Sequence, residues 1–99
     1  MLRHVVMFRW APDASSDALG RVSRGLEGLP AAISAVAKYR HGPDAGLADG
    51  NWDYVVVADF ADEEAYREYR DHPAHQSLIA DHIRPIVADR AAVQHRLDG

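Results

Sequence analysis

Trp52-Asp53-Tyr54-Val55-Val56-Val57-Ala58-Asp59-Phe60 is the stretch that decides how the chain folds. Its centre, Tyr54 to Ala58, is apolar at consecutive positions and rich in Val, so it reads as a strand whose two faces are both covered. The preceding residues, His41 to Asn51, carry Gly42-Pro43-Asp44, Gly46 and Asp49-Gly50-Asn51 and read as a loop. Asp62-Glu63-Glu64 follows with the charge that suits the start of a helix.

Working outward, Leu2 to Trp10 alternates Leu2, His4, Val6, Phe8 and Trp10 on one side with Arg3, Val5, Met7 and Arg9 on the other, a second strand. Ser15, Ser16 and Asp17 offer caps for a helix whose Ala18, Leu19, Val22, Leu26 and Leu29 recur at helical spacing. Gly25 and Gly28 weaken that helix by about 1 kcal/mol each relative to Ala, and Leu29-Pro30 is expected to end it. Ile33 to His41 alternates as a strand with one rather polar face. The helix opened at Asp62 runs to about Arg70, with Tyr66 and Tyr69 one turn apart. Asp71-His72 breaks it, and Pro73 starts another that carries Ala74, His75, Leu78, Ile79, His82 and Ile83 on one side and stops at Arg84-Pro85. Arg90 to Leu97 reads as the last strand.

The order is βαββαβ with its second helix broken, which predicts an α+β, ferredoxin-like fold: a four-stranded antiparallel sheet with helices on one face. The opposite face keeps Val5, Met7, Val55 and Val57. Soluble monomers seldom leave such a patch in water, so a homodimer packed through the sheet face is expected. Asp53 and Asp59 fall on that same face and read as strand-end or dimer-edge charges.

Ninety-nine residues make one domain, residues 1–99, without internal repeat or linker. A chain this short hides only about 60–65% of its unfolded surface, a further reason to expect a partner subunit. Apolar residues are 47% and charged residues 26%, an ordinary globular balance. Eleven basic against fifteen acidic residues leave a net charge of −4 with His neutral. Nucleic acid and anionic membranes want a basic face, so neither is expected as the main partner. Cysteine is absent, which excludes disulfides, thiolate metal sites and a Cys nucleophile. The opening strand is not a signal-peptide core and no apolar run approaches a bilayer span, so a cytoplasmic location is expected.

Six His are many for this length, but the spacing supports no metal site. His72 and His75 are three apart across a helix break, and His75 and His82 lie about 10 Å apart along a helix axis. Ser residues lack a nucleophile-elbow context, and no Gly-rich phosphate loop occurs. His4 reads most simply as a partly buried imidazole, and Tyr54, Tyr66 and Tyr69 as core aromatics. Tyr69 and His75 together say more. A helix break there can bring a phenol and an imidazole to one cavity mouth, a pair suited to proton abstraction next to a carbonyl.

Residues 2 to 97 resemble the stress-responsive α/β-barrel (Dabb) family. Arg3-His4-Val5-Val6-Met7-Phe8, Asp53-Tyr54-Val55-Val56-Val57 with Phe60, and Tyr69-x-x-His72-Pro73-Ala74-His75 carry the likeness. The resemblance implies ferredoxin-like protomers packed back to back as a dimeric α/β barrel. One branch, similar to olivetolic acid cyclase, closes a linear polyketide by aldol chemistry without a cofactor. The residues that match its catalytic pair are Tyr69 and His75. Its pocket would include His4, Val6, Phe8, Leu19, Val22, Leu26, Tyr54, Val56, His72 and Leu78, and would take a small hydrophobic or aromatic carbonyl ligand. Tyr54 stands where that branch carries a His, and Ala18, Leu19 and Val22 where it carries larger aromatics. Two other readings remain: a non-catalytic stress-responsive binding or assembly protein, and a haem- or quinol-type monooxygenase drawing on His75 and Trp52. In the last reading Trp52 is expected at a strand start, away from the cavity.

Overall fold

β1 (Leu2–Trp10), the opening strand, lies inside the sheet and pairs antiparallel with both of its neighbours. The computed structural model describes residues 1–97. α1 (Ser16–Ala32) follows, then β2 (Val36–Pro43), β3 (Tyr54–Phe60), α2 (Glu63–Asp71), α3 (Pro73–Leu78), a π-helical turn over Ile79–Ile83, and β4 (Val87–Arg96). The sheet order is β2-β3-β1-β4, all antiparallel. This is the ferredoxin-like arrangement expected from the element order.

The pleat of β1 sorts the molecule into layers. Leu2, His4, Val6 and Phe8 are buried beneath the helices, while Arg3, Val5, Met7 and Arg9 stay half exposed on the outer face. Val6 opposes Val56 and Ala92, and Met7 opposes Val55 and Ala91, so the neighbours repeat the sorting. Phe60, Ile33, Val22 and Val56 are the most deeply buried large side chains, between α1 and the sheet. The outer face carries Val5, Met7, Val55, Val57 and Val93, and Val93 is 58% exposed. Arg3 crosses that face to Asp59 with two hydrogen bonds of 2.8 and 2.9 Å. The guanidinium holds the Asp59 carboxyl below the usual carboxylate range.

Several boundaries differ from the sequence reading. α1 passes through Pro30 to Ala32, because a proline in the last turn removes one hydrogen bond without stopping a helix already packed. Ile33 is therefore the C-cap of α1, its N–H on the Leu29 carbonyl at 2.9 Å, and β2 begins only at Val36. Its burial serves the helix end, which mimicked strand alternation. β3 starts at Tyr54, two residues later than expected. Asp53 before it accepts a 2.8 Å hydrogen bond from the Trp10 N–H and donates its own N–H to the Phe8 carbonyl at 2.9 Å, tying a strand end as its charge suggested. β4 begins at Val87, three residues early, because pairing with β1 extends past Arg90 through a register shift at Arg9/Trp10. His72 is the break between α2 and α3: its N–H bonds the Tyr69 carbonyl and its Nδ1 accepts from the Ala74 N–H.

At Gly25, α1 packs tightly against Leu78 of α3. A Cβ there would stand 2.4 Å from Leu78 Cδ1, whereas one at Gly28 would meet nothing. Gly28→Ala is therefore expected to stabilise the protein by about 1 kcal/mol through helix propensity. Gly25→Ala should lose that gain to overpacking, which typically costs about 1–3 kcal/mol. Urea unfolding of the two variants checks the contrast; equal stabilisation by both would refute the close-packing explanation.

Candidate active site

A cavity of about 380 Å³ opens between the inner sheet face and the α2–α3 break, within the range of small-molecule sites. β1 supplies His4, Val6 and Phe8 to its floor, α1 supplies Leu26, and the break supplies Tyr69 and His75. The π turn widens the last helical segment, its ladder closed by the Arg84 N–H on the Ile79 carbonyl at 2.8 Å. Ile79 and Ile83 from that turn also line the cavity.

His75 packs against the Tyr69 ring, with centroids 4.3 Å apart. Its Nδ1 lies 3.0 Å from the Arg70 carbonyl oxygen. A carbonyl only accepts, so Nδ1 carries the proton and Nε2 keeps the basic lone pair. Burial, opposed by that hydrogen bond, sets the His75 pKa below the ordinary histidine value. His4 is buried and its Nδ1 accepts from Gln94 Nε2 at 2.8 Å. Burial, then the charges of Arg90 and His75, push its pKa down to about 4. Both imidazoles are thus neutral at pH 7.

Tyr69 is buried, and its hydroxyl meets that of Tyr39 at 2.8 Å. Burial raises both phenols: Tyr69 is pushed up to about 12 and Tyr39 further still. Both phenols keep their protons at neutral pH, so one hydroxyl donates to the other, and when Tyr39 donates the Tyr69 O–H is left for a ligand. A donor that itself accepts a hydrogen bond is strengthened.

The structure brings together His4, Val6, Phe8, Leu26, Val56, Tyr69, His75 and Leu78 around this cavity. It places four expected pocket residues elsewhere. Val22 and Leu19, one and two helical turns before Leu26, leave the cavity behind: Val22 is fully buried in the core and Leu19 half buried. Tyr54 lies in a second polar group, where its hydroxyl bonds Ser23 at 2.8 Å and His41 Nδ1 at 2.7 Å, and His41 Nε2 bonds Glu27 at 2.7 Å. His72 is held by its capping role. Trp52 is also apart from the cavity, under the Arg9 guanidinium at 4.5 Å. Among the described residues no group of three or more His, Cys, Asp or Glu could hold a metal ion.

Sequence reasoning missed Tyr66, whose ring lies 5.1 Å from His4, and Arg84, Arg90 and Gln94. Arg90 and Gln94 share a strand parity, and that parity pointed inward once β4 was in register with β1.

An NMR pH titration of the imidazoles checks these environments. His4 should titrate near pH 4 and His75 below about 6.5. Because the unfolded chain binds the His4 proton more tightly, stability should fall as pH drops from about 6.5 toward the folded value and level off below it. An ordinary midpoint for His4 would contradict its buried, Gln94-bonded setting.

Among curated proteins none matches the chain. Among solved structures, a dimeric ferredoxin-like protein of unknown function from Thermobifida fusca YX is 45% identical, with a TM-score of 0.90 over 97% of this chain and 90% of that one. A Dabb family protein with a ferredoxin-like fold from Mesorhizobium loti is 23% identical, TM-score 0.82, over 99% and 97% of the two chains. The hydroxynitrile lyase of Passiflora edulis shares the fold at 16% identity, TM-score 0.81, over 95% and 90%. The family model for the stress-responsive A/B barrel domain matches residues 2–95, and the chain belongs to that family, Dabb.

Proposed function

We propose that this protein is an acid/base enzyme of cyclase or isomerase type, acting without a cofactor on a small hydrophobic or aromatic carbonyl compound. The observation that carries the reading is the His75–Tyr69 pair. One hydrogen bond to the Arg70 carbonyl fixes His75 as a neutral base at Nε2, and with Tyr39 donating to it the Tyr69 hydroxyl has its own proton to offer a ligand. With a ketone in the cavity, His75 Nε2 takes the α-proton, the C–H electrons pass to the carbonyl oxygen, and the Tyr69 O–H stabilises the resulting enolate. His4, which holds its proton on Nε2 while Nδ1 accepts from Gln94, is a second neutral donor on the same floor. Apolar walls from Val6, Phe8, Leu26 and Leu78 exclude water and favour an apolar ligand body.

The reading is tested by following α-proton exchange of phenylacetone in D2O. Base catalysis of the kind His75 would supply contributes about 10²–10⁴-fold, and an oxyanion donor about 10²–10³-fold. His75→Gln and Tyr69→Phe should each cost a large part of that rate while the proteins still fold. Exchange requires the neutral imidazole, so the rate should be flat above the His75 pKa and fall as pH drops through it. Arg90 and His72 press that pKa down, and Asp71 presses it up. Wild-type exchange by His75→Gln would sink the reading.

The outer sheet face supports a homodimer. Its central apolar stripe is bounded by the Arg3–Asp59 pair, and the 45% identical Thermobifida protein is described as dimeric. Burying the stripe against its own copy removes about 25 cal/mol of unfavourable hydration per Å². Val57→Asp, which puts a carboxylate in the middle of the stripe, should give monomers in light-scattering chromatography. A dimer that survives both Val57→Asp and Val93→Asp would place the interface elsewhere.

A further inference from the structure

The cavity is cationic at its rim and has no anion to match. Arg70, Arg84 and Arg90 all line it, and no Asp or Glu does, in a chain with 15 acidic residues against 11 basic ones. Arg70 is already engaged, with hydrogen bonds of 2.9 and 3.0 Å to Asp71. The Arg84 and Arg90 guanidiniums make no ion pair or hydrogen bond among the described residues.

The two come from different elements. Arg84 caps the π turn, and Arg90 sits on the inner face of β4 opposite Phe8. The chain between them contributes Val87 to the same wall. Unpaired arginines are common on open surfaces, where each is fully hydrated. Arg84 and Arg90 are exposed too, but both line one apolar cavity, together with two neutral imidazoles. A guanidinium presents a planar fork that matches a carboxylate, and such charge-assisted bonds strengthen where water is partly excluded.

We propose that Arg84 and Arg90 form a carboxylate-binding subsite, so that the ligand is a ketone bearing a carboxylate, its apolar end under the helices and its anionic end at the cavity rim. The ketone part rests on the acid/base reading above; the anion subsite stands on the rim geometry alone. The cations also act on the chemistry. Proton removal breaks the α C–H bond, sends its electrons to the carbonyl oxygen and places the proton on His75. The substrate then gains a second negative charge, which Arg84 and Arg90 stabilise more than they do the starting anion. Return of the proton, to the same or another carbon, restores the base with no net oxidation.

Phenylpyruvate and phenylacetone test this, since they differ by a carboxylate in place of a methyl group. Binding is measured by NMR titration and α-proton exchange in D2O on the same samples. The wild-type protein should bind phenylpyruvate in preference to phenylacetone. The Arg84→Gln/Arg90→Gln double variant should reduce that preference by about 10- to 100-fold, and Arg90→Lys should retain part of it. Raising salt should weaken phenylpyruvate binding selectively. An unchanged preference in the double variant, or no phenylpyruvate binding at about millimolar concentration, overturns the subsite. The two readings fail separately. Arginine-dependent binding without exchange supports the subsite and sinks the acid/base reading. His75-dependent exchange of phenylacetone with no arginine-dependent preference sinks the subsite and leaves the base in place.

Discussion

The two-residue period of β1 is the constraint on which the rest of this molecule depends. β1 is hydrogen-bonded on both edges, so its side chains have only two directions and its neighbours must agree with them. A slip of one residue would send Arg3 and Arg9 under the helices and leave His4, Val6 and Phe8 in water. The same pleat that builds the core puts His4 on the cavity floor and the Val5–Met7 stripe on the outer face. Core, candidate site and proposed dimer surface are three consequences of one register.

The second constraint is the interruption after β3. A continuous helix from Asp62 to Ile83 would keep Tyr69 and His75 on one cylinder, six residues apart, rather than stacked across a break. His72 and Pro73 turn the chain, and the carbonyl of Arg70, freed from helical pairing, accepts from His75 Nδ1 and Gln76 Nε2. The helix end that must be satisfied is thereby the group that orients the base. The π turn then adds a residue to the ladder and turns Ile79, Ile83 and Arg84 toward the opening.

The polar groups of the inner layer divide into two circuits. Tyr39 links through Tyr69 to the cavity side, while Tyr54, Ser23, His41 and Glu27 form a chain beneath α1. Tyr54 and Tyr69 both read as core aromatics on their own. Hydrogen-bond partners separate them, because burying a phenol demands a partner, and Tyr54 finds Ser23 and His41 where Tyr69 finds Tyr39.

By itself the sequence determined the element order, the inner and outer faces of the strands and the helix break at His72-Pro73. Those features follow from local periodicity and local stereochemistry, which the chain carries at every position. It also marked Tyr69 and His75 as a pair, because they flank that break. Tertiary structure alone decided which residues meet across the fold. The resemblance implies Leu19, Val22 and Tyr54 in the pocket, yet none lines the cavity: α1 brings Leu26, not its earlier turns, to the cavity beside Leu78, and Tyr54 is held by Ser23 and His41. Arg84 and Arg90 gave no local signal, because an arginine becomes a site residue only when the pairing register and the turn of a helix aim it at a cavity. The Tyr39–Tyr69 contact joins residues 30 apart, and no spacing rule reaches that far.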